Sequence, residues 1–331
     1  MRVVQRSRES RIRRLWAGLA VITGTVTALA LAPAGLPQAQ AQVVRTQELS
    51  PTITLVSVHS RSMNRTLQAH VLHPAGKPAG LPTFYLLPGA GGAEDGISWY
   101  HHGGVRQFFA GKRVNVVLPI GGRFSMMTDW QHDDPALGRN KWQTYYTREL
   151  PDSIDRAFRT NGTNALGGVS MSAGPALDLA IQAPRRFRAV ASYSGCPGTT
   201  DPLGVLSNTT VPMRGGGNPL NMWGPPGSAA WIKHDPVVNA AKLRGKTIFL
   251  FAGSGVPGSI DGSPLAAIGG LFGGDVVEGV SLACTTNMHN KLNSLGIAHR
   301  FSVRSTGSHS WGLFSAGLRE SWPMIARAIG A

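Results

Sequence analysis

The segment ALGGVSMSAG, residues 165–174, is the clearest indication of the fold in this sequence. Its first half is an apolar run that ends at Val169, Ser170 follows, and a helix-forming run begins a few residues later. A strand, a sharp turn with a serine at its apex and then a helix is the arrangement that presents a nucleophilic serine at the edge of a parallel sheet. Gly168 suits such a turn, because a side chain at this position would collide with the bent backbone. The pattern therefore predicts that Ser170 is a nucleophile.

Two other interpretations of this stretch stay open. Ser172 stands where a glycine is more usual, so the pattern is G-x-S-x-S, and a register with Ser172 as the nucleophile is the first alternative. The second is an ordinary serine that caps the following helix. Gly168 favours Ser170, because it marks the end of the strand, where crowding against the turn is worst.

Most of the predicted strands are continuous apolar runs, which indicates burial on both faces of a parallel sheet. They are Thr83–Leu87, Val114–Leu118, Ala165–Val169, Ala189–Tyr193 and Thr247–Phe251, with a shorter candidate at Phe301–Val303. Two earlier segments, Ile53–Val58 and Leu67–Leu72, are joined by a polar turn at 62–64 and predict an antiparallel pair.

Helices are predicted between these strands. They are Trp142–Phe158 with a kink at Pro151, Ala173–Ala183, Pro236–Leu243, Leu282–Leu295 and Gly317–Ile329. The glycine- and proline-rich stretches Pro212–Gly227 and Gly253–Gly274 are predicted as long loops. Strands that alternate with helices predict an α/β class, here an α/β-hydrolase fold with a mostly parallel central sheet flanked by helices in a single domain, residues 42–331.

The first 41 residues predict a secretory signal peptide. Six arginines precede an uncharged run from Leu15 to Leu31, and the small-residue triplet Ala39-Gln40-Ala41 follows. That order is typical of a signal peptide cleaved after Ala41. The alternative is a transmembrane anchor, but the apolar run is at the lower limit for spanning a bilayer. We therefore expect a secreted or cell-envelope protein without a transmembrane span after cleavage.

The chain is strongly basic, and this bears on its partners. Removing residues 1–41 takes away six arginines and one glutamate, so the net charge of +15 falls to +10. A basic balance suits an exported protein that works at anionic lipid or polysaccharide, so we expect it to be peripheral to the outer lipid layer. The basic residues are scattered singly and no nucleic-acid-binding motif is present, so no nucleic-acid partner is expected.

The two cysteines, Cys196 and Cys284, predict a disulfide. An even pair in an oxidising compartment favours a bridge over two free thiols. Neither cysteine has a spacing typical of a metal site, and no metal or cofactor is expected.

The catalytic base is expected near the C-terminus, after the last strand. His309 fits this position, because it follows the short strand Phe301–Val303. His289 falls inside a predicted helix, and His299 falls just before a strand. His101 and His102 come too early in the chain for the base, although they could line the site.

The catalytic acid is left open by the pattern. Asp261 follows the strand Thr247–Phe251 by ten residues, and Glu278 lies farther along at the start of a helical stretch. Either carboxylate could orient the imidazole and stabilise its charged form.

Acyl transfer also needs two backbone N–H donors for the oxyanion. Met171, the residue after the nucleophile, is expected to supply one. The glycine-rich loop at 87–92 is expected to supply the other, from Ala90. A phosphate-binding loop is the alternative, but no G-x-x-x-x-G-K-[ST] pattern follows it.

The mature sequence resembles the antigen 85 mycolyltransferases of mycobacteria and their corynomycolyltransferase relatives, over roughly Leu55 to Ile329. The segments that carry the resemblance are Tyr85–Leu87, Leu118–Gly122, Thr128–Trp130, Lys141–Thr144, Glu149–Pro151, Gly168–Ser172, Met222–Pro225 with Trp231, Asp235–Pro236 and Asn239, Glu278–Gly279 and Ser308–Trp311. The cysteine pair and the stretch Arg214–Gly217 are more similar to the corynebacterial and nocardial branch.

This resemblance implies an enzyme that moves a mycolyl group from trehalose monomycolate, through an acyl-Ser170 intermediate, to a cell-envelope glycan or protein acceptor. It also implies that Glu278 is the acid and that Gly89, Trp130, Ser310 and Trp311 contact the substrate. At two positions where the family usually has sugar contacts, the sequence has Pro88 and Gly91. Two functions remain as alternatives: a secreted carboxylesterase with the same triad, and a non-catalytic envelope-binding protein.

Overall fold

The computed structural model describes residues 42–262 and 273–331. The predicted signal peptide and much of the predicted loop after residue 253 therefore lie outside the described residues. Those that are described belong to one compact unit.

Over the described residues, nine strands form one sheet in the order β1-β2-β3-β5-β4-β6-β7-β8-β9. The strands are β1 Gln42–Ser50, β2 Ile53–Ser60, β3 Arg65–Leu72, β4 Thr83–Leu87, β5 Asn115–Ile120, β6 Asn164–Val169, β7 Ala189–Tyr193, β8 Thr247–Gly253 and β9 Arg300–Arg304. The strands from β5 to β9 in this order run parallel, whereas β1, β2 and β3 form an antiparallel meander that joins β5.

The predicted α/β fold with a mostly parallel sheet is confirmed, and so is the antiparallel pair of β2 and β3. Strand β1 has no counterpart in the prediction. All of its residues are exposed or half-buried and several are charged or amide side chains, so it carries no apolar pattern. It is an edge strand that forms because β2 offers it a row of backbone hydrogen-bonding groups.

Helices cover both faces of the sheet. In chain order the α-helices of the described residues are α1 Trp99–His102, α2 Val105–Phe109, α3 Trp142–Thr144, α4 Leu150–Phe158, α5 Ala173–Gln182, α6 Pro202–Arg214, α7 Leu220–Trp223, α8 Ala229–Lys233, α9 Gly273–Ser294 and α10 Trp311–Ile329. Short 3₁₀ turns lie at Ser170–Ser172, Ala240–Leu243 and Ser259–Asp261, and a π-helical turn lies at Tyr145–Glu149.

The predicted helix Trp142–Phe158 is present, but its irregular turn lies before Pro151 instead of at it. Helix α3 leads into the π turn Tyr145–Glu149, and α4 then begins with Pro151 in its first turn. Proline has no N–H to donate to the carbonyl four residues earlier. That carbonyl, on Thr147, accepts a hydrogen bond from Arg186 Nε at 3.1 Å instead.

Two other predictions are wrong in part. The stretch Pro212–Gly227 is not one long loop, because α6 continues through Pro212 to Arg214 and α7 lies within the same stretch. A proline near the end of a helix costs about one backbone hydrogen bond, which tertiary packing can offset. The predicted helix Pro236–Leu243 forms only the 3₁₀ turn at its C-terminal half.

The core consists of two apolar clusters, one on each face of the sheet. One contains residues of α4, α5 and α9, such as Ile154, Leu177 and Met288. The other contains residues of α1, α2 and α10, such as Trp99 and Leu318. Since helices protect both faces, the open side of the sheet is the edge where the carboxyl ends of β4, β6, β7 and β8 meet, and ligands of such sheets bind at that edge.

Half-burial of His70 on β3 predicts a dependence of stability on pH. Its ring stacks on Tyr100 at 3.8 Å, with the Arg106 guanidinium on the same tyrosine. Burial, followed by the nearby charges of His101 and Arg106, lowers the pKa of His70 to about 4. The unfolded chain has an ordinary histidine pKa of about 6.5, so between those values it binds more protons than the folded chain.

The stability of the protein is therefore expected to fall as the pH falls from about 6.5 to 4, with a contribution from this group of at most about 1.4 kcal/mol per pH unit. Urea denaturation at pH 7 and pH 5 would measure it, with His70→Gln as the comparison. The variant should lose less stability than the wild type over this interval. An equal loss in both proteins would contradict the assignment to His70.

Candidate active site

Ser170 lies at the carboxyl end of β6, directly after Val169, with a left-handed backbone angle φ of 56°. Few residues other than glycine adopt this conformation, and its strain is typical of a serine presented on a sharp turn. The turn depends on Gly168, because a Cβ on that residue would lie 2.0 Å from the carbonyl oxygen of Ser172. Ser170 Oγ lies 2.8 Å from His309 Nε2.

Ser172 has a different position and partners. It is fully buried, and its hydroxyl accepts a hydrogen bond from Val169 N–H at 2.9 Å and donates one to Val169 C=O at 3.1 Å. Both bonds close the 3₁₀ turn on which Ser170 stands. The geometry thus favours Ser170 over the alternative register.

His309 and Glu278 continue the chain of hydrogen bonds from Ser170. His309 Nδ1 lies 2.7 Å from Glu278 Oε2, on α9, and both side chains are buried. The second oxygen of Glu278, Oε1, accepts the Ser194 hydroxyl at 2.8 Å and Gly253 N–H at 2.6 Å. Burying a carboxylate costs free energy unless its oxygens accept hydrogen bonds. Here the donors are the ring of His309 and two groups at the ends of β7 and β8.

Asp261, the other candidate acid, does not contact the imidazole of His309. Its Oδ1 accepts Ser308 N–H at 2.9 Å and the Ser310 hydroxyl at 2.7 Å, and its Oδ2 accepts Gly258 N–H at 2.8 Å. Burial alone would raise the pKa of Asp261, but these hydrogen bonds outweigh it and lower the pKa. The structure therefore brings Glu278 to the histidine ring, and Asp261 to the backbone N–H of Ser308 and the side-chain hydroxyl of Ser310, the residues on either side of it.

The other histidines considered for the site have different partners from His309. His289 and His299 face each other, with Nδ1 of the first 2.7 Å from Nε2 of the second. His101 and His102 are on α1, and the His102 ring stacks on Trp311 at 6.0 Å. Among the described residues, no group of three or more His, Cys, Asp or Glu side chains could hold a metal ion.

The glycine-rich loop after β4 lies beside the nucleophile. A Cβ built on Gly89 would be 3.8 Å from Ser170 Cβ, so the loop backbone approaches the serine closely. The next residue, Ala90, is held in place by its carbonyl oxygen, which accepts Phe124 N–H at 2.8 Å. That Ala90 and Met171 supply the N–H donors of an oxyanion hole stays a prediction, which the close approach of this loop to Ser170 supports.

The four expected substrate contacts are placed differently from one another. Gly89 is next to Ser170, and Trp311 is half-buried near His309 in an aromatic cluster with Trp99. Trp130 is 1% exposed and its indole N–H donates to Ser125 C=O at 2.8 Å, so its ring belongs to the core. Ser310 is fully buried, bonds to Asp261 and caps α10. This burial gives no support to the prediction that Trp130 and Ser310 contact the substrate.

Three functional positions were missed by the sequence analysis. Ser194 and Gly253 donate to Glu278, and Gly195 packs so tightly that a Cβ there would lie 2.4 Å from Ser170 C=O. All three stand at or just after the carboxyl end of a strand. Small residues at these strand ends were the available signal, since that edge of a parallel sheet is where sites form.

The predicted disulfide between Cys196 and Cys284 is present. It joins the loop after β7 to α9, two residues after Ser194 and six residues after Glu278. Next to it, the Thr285 hydroxyl donates to Gly195 C=O at 3.2 Å. The bridge therefore fixes the helix that carries Glu278 against the strand end that hydrogen-bonds it.

Removing this bridge in a Cys196→Ala/Cys284→Ala variant is expected to lower the free energy of unfolding by about 4 kcal/mol. The reason is that opening the long loop between the two cysteines increases the entropy of the unfolded chain. Denaturation with and without dithiothreitol measures the effect. The reductant should destabilise the wild type and leave the variant unchanged. An equal response of the two proteins would contradict the role of the disulfide.

Helices long and apolar enough to cross a membrane are not found in the described part of the chain.

The family model described as "Putative esterase" matches residues 60–324. Curated relatives include the diacylglycerol acyltransferase/mycolyltransferase Ag85A of Mycobacterium tuberculosis, which is 29% identical over 94% of this chain and 87% of its own length. The corresponding Ag85B of Mycolicibacterium smegmatis is 29% identical over 94% of this chain and 91% of its own.

Solved structures support the fold. MPT51 of Mycobacterium tuberculosis has a TM-score of 0.68 at 24% identity, over 82% of this chain and 96% of its own. An S-formylglutathione hydrolase from Agrobacterium tumefaciens has a TM-score of 0.66 at 14% identity, over 87% and 100%. The chain is therefore an enzyme of acyltransferase and esterase type, and it belongs to the esterase family in the group of the antigen 85 acyltransferases.

Proposed function

We propose that the protein transfers a mycolyl group from trehalose monomycolate to a cell-envelope acceptor, through an acyl-Ser170 intermediate. The observation that carries the proposal is the continuous line of hydrogen bonds from Ser170 through His309 to Glu278, in a chain similar to named mycolyltransferases.

In the first half-reaction, His309 Nε2 takes the proton of the Ser170 hydroxyl as its oxygen attacks the ester carbonyl of the donor. The carbonyl oxygen of the ester becomes an oxyanion, which Met171 N–H and Ala90 N–H stabilise. The protonated His309 then gives its proton to the departing sugar oxygen. Acyl-Ser170 and free trehalose result.

In the second half-reaction, an acceptor hydroxyl takes the place of the departed sugar. His309 removes its proton, the acceptor oxygen attacks the acyl-Ser170 carbonyl, and the proton returns to Ser170 Oγ. Glu278 accepts a hydrogen bond from Nδ1–H throughout, which holds the tautomer with a free Nε2 and stabilises the imidazolium.

The acceptor is a sugar hydroxyl of the envelope in this proposal, either on a second trehalose monomycolate or on a polysaccharide, with a protein hydroxyl as a further candidate. The loop beside Ser170 supports a difference from the family at this point. Pro88 has no side-chain donor or acceptor, and a Cβ on Gly91 would lie 1.9 Å from Asp95 Oδ2. The space that a side chain at position 91 would use is therefore occupied by the Asp95 carboxylate.

We also propose that the enzyme is exported, cleaved after Ala41 and active at the cell envelope. The charge of +10 on the remaining chain favours anionic surfaces, as the charged lipids and polysaccharides of an envelope provide.

A secreted carboxylesterase is the second candidate, favoured by the family model that the chain matches. The same three side chains would activate water instead of an acceptor hydroxyl, so the two functions differ only in the second half-reaction.

The test uses purified residues 42–331 with trehalose monomycolate, alone and with arabinan fragments or porin peptides. The products are separated by thin-layer chromatography and mass spectrometry, with Ser170→Ala as the control. We expect trehalose dimycolate or an acylated acceptor that the control does not form. Release of free acid, with no acylated acceptor in any mixture, would contradict transfer and support the esterase.

A further inference from the structure

Asp261 is a buried carboxylate that the proposed mechanism does not use. Only 8% of it is exposed, and its two oxygens accept three hydrogen bonds from the described residues. Two of these bonds come from Ser308 and Ser310, the residues on either side of His309. The third comes from Gly258 and closes the turn on which Asp261 itself lies.

The segment around Asp261 is joined to the His309 loop along its whole length. Gly255 N–H donates to Gly307 C=O at 3.0 Å, and Gly307 N–H donates to Val256 C=O at 2.7 Å. At the other end, a Cβ on Gly312 would lie 1.8 Å from Ile260 C=O, so the start of α10 rests directly on this segment.

His309 itself has a backbone bond to α9, from its N–H to Gly274 C=O at 2.9 Å. The Ser310 hydroxyl, which donates to Asp261, also accepts Leu313 N–H and so caps α10. The segment that carries the imidazole is therefore held at three consecutive residues. His309 bonds to α9, and Ser308 and Ser310 bond to Asp261.

From this geometry we infer that Asp261 is a positioning residue, which holds the His309 backbone so that Nε2 stays in line with Ser170 Oγ. The inference rests on the proposed function, in which His309 is the general base. The two carboxylates then have separate roles. Glu278 orients the imidazole ring, and Asp261 fixes the loop that carries His309. Displacement of a catalytic group by about 1 Å can cost about 100-fold in rate.

Asp261→Asn tests this role. The amide keeps the size of the side chain but has one acceptor oxygen, whereas the donors bond both oxygens of Asp261 in the wild type. The second-order rate constant for labelling of Ser170 by a fluorophosphonate is measured in the wild-type and His309→Ala backgrounds. We expect Asp261→Asn to slow labelling by about 10- to 100-fold in the wild type and by less than twofold when His309 is absent.

This dependence on His309 separates positioning from a general structural role, which would slow labelling in both backgrounds. Asp155→Asn is the matched control. It removes a partly buried carboxylate that bonds Thr160 and Arg186 near the amino end of β6, so it lies at the opposite edge of the sheet from Ser170. It should leave labelling unchanged.

If Asp261→Asn does not fold, as judged by circular dichroism, Ser310→Ala is used instead, because it removes one of the three bonds to Asp261. A fall of about 3- to 10-fold is then expected, again only in the presence of His309. Labelling within twofold of wild type for the folded variant, while His309→Ala slows it 100-fold or more, would overturn the role of Asp261 alone. No effect of His309→Ala would instead overturn the proposed function, and this inference with it.

Discussion

Replacing Ser170 by alanine is expected to lower kcat by about 10⁴- to 10⁶-fold and to abolish covalent labelling by a fluorophosphonate. The physical reason is the geometry of the turn, which presents the hydroxyl 2.8 Å from His309 Nε2. Without this oxygen, no acyl-enzyme forms, and only the binding and oxyanion contributions remain. Hydrolysis of a short-chain p-nitrophenyl ester and intact-protein mass spectrometry after labelling measure the two effects.

Ser172→Ala is the matched control for this prediction. Among the described residues its hydroxyl bonds only Val169, so its loss should reduce the stability of the turn and leave the nucleophile reactive. Persistent labelling of Ser170→Ala, together with loss of labelling in Ser172→Ala, would reverse the assignment of the nucleophile.

Glu278→Gln is expected to lower kcat by about 10⁴-fold with little change in the fold. Ser194 O–H and Gly253 N–H both donate to Oε1, so the glutamine must turn its carbonyl oxygen to them. Its NH₂ group then faces His309 Nδ1, which must accept. The proton of the neutral imidazole moves to Nε2, and this nitrogen can no longer take the proton of Ser170.

The kcat of Glu278→Gln is measured with the same ester, and its fold is checked by circular dichroism. Glu149→Gln provides the control, because Glu149 also accepts hydroxyl and N–H donors, from Ser60 and Ser62. Those donors lie at the end of β2 and just after it, and β2 is four strands from β6, or about 19 Å away. A fall of less than tenfold for Glu278→Gln would mean that this carboxylate does not set the tautomer.

Asp261 and Glu278 show what a sequence pattern can and cannot predict. Asp261 stands closer in the chain to the end of β8 than Glu278 does, and the pattern alone left both open as the acid. The resemblance to the antigen 85 enzymes favoured Glu278, and the structure brings that side chain to His309 Nδ1. The choice depends on how α9 packs beside the ends of β7 and β8, which is a long-range contact with no local signal.

A local sequence pattern also does not show whether a side chain is exposed. Trp130 and Ser310 lie in or near segments shared with the family, yet the first packs in the core and the second caps α10. A motif identifies a segment as important without saying which of its side chains face the ligand. Burial decides that, and burial follows from the neighbours in space.

The class of the fold, the turn that carries Ser170 and a late histidine as base can be predicted from the sequence. These follow from local physics: continuous apolar runs form buried parallel strands, and Gly168 leaves room for a turn that a side chain would block. Three features depend on tertiary packing: β1 joins the sheet edge, Glu278 accepts hydrogen bonds from Ser194 and Gly253, and Asp261 accepts hydrogen bonds from both neighbours of His309. Each of these contacts joins residues that are far apart or polar, so it arises only when the packed elements bring donors and acceptors together.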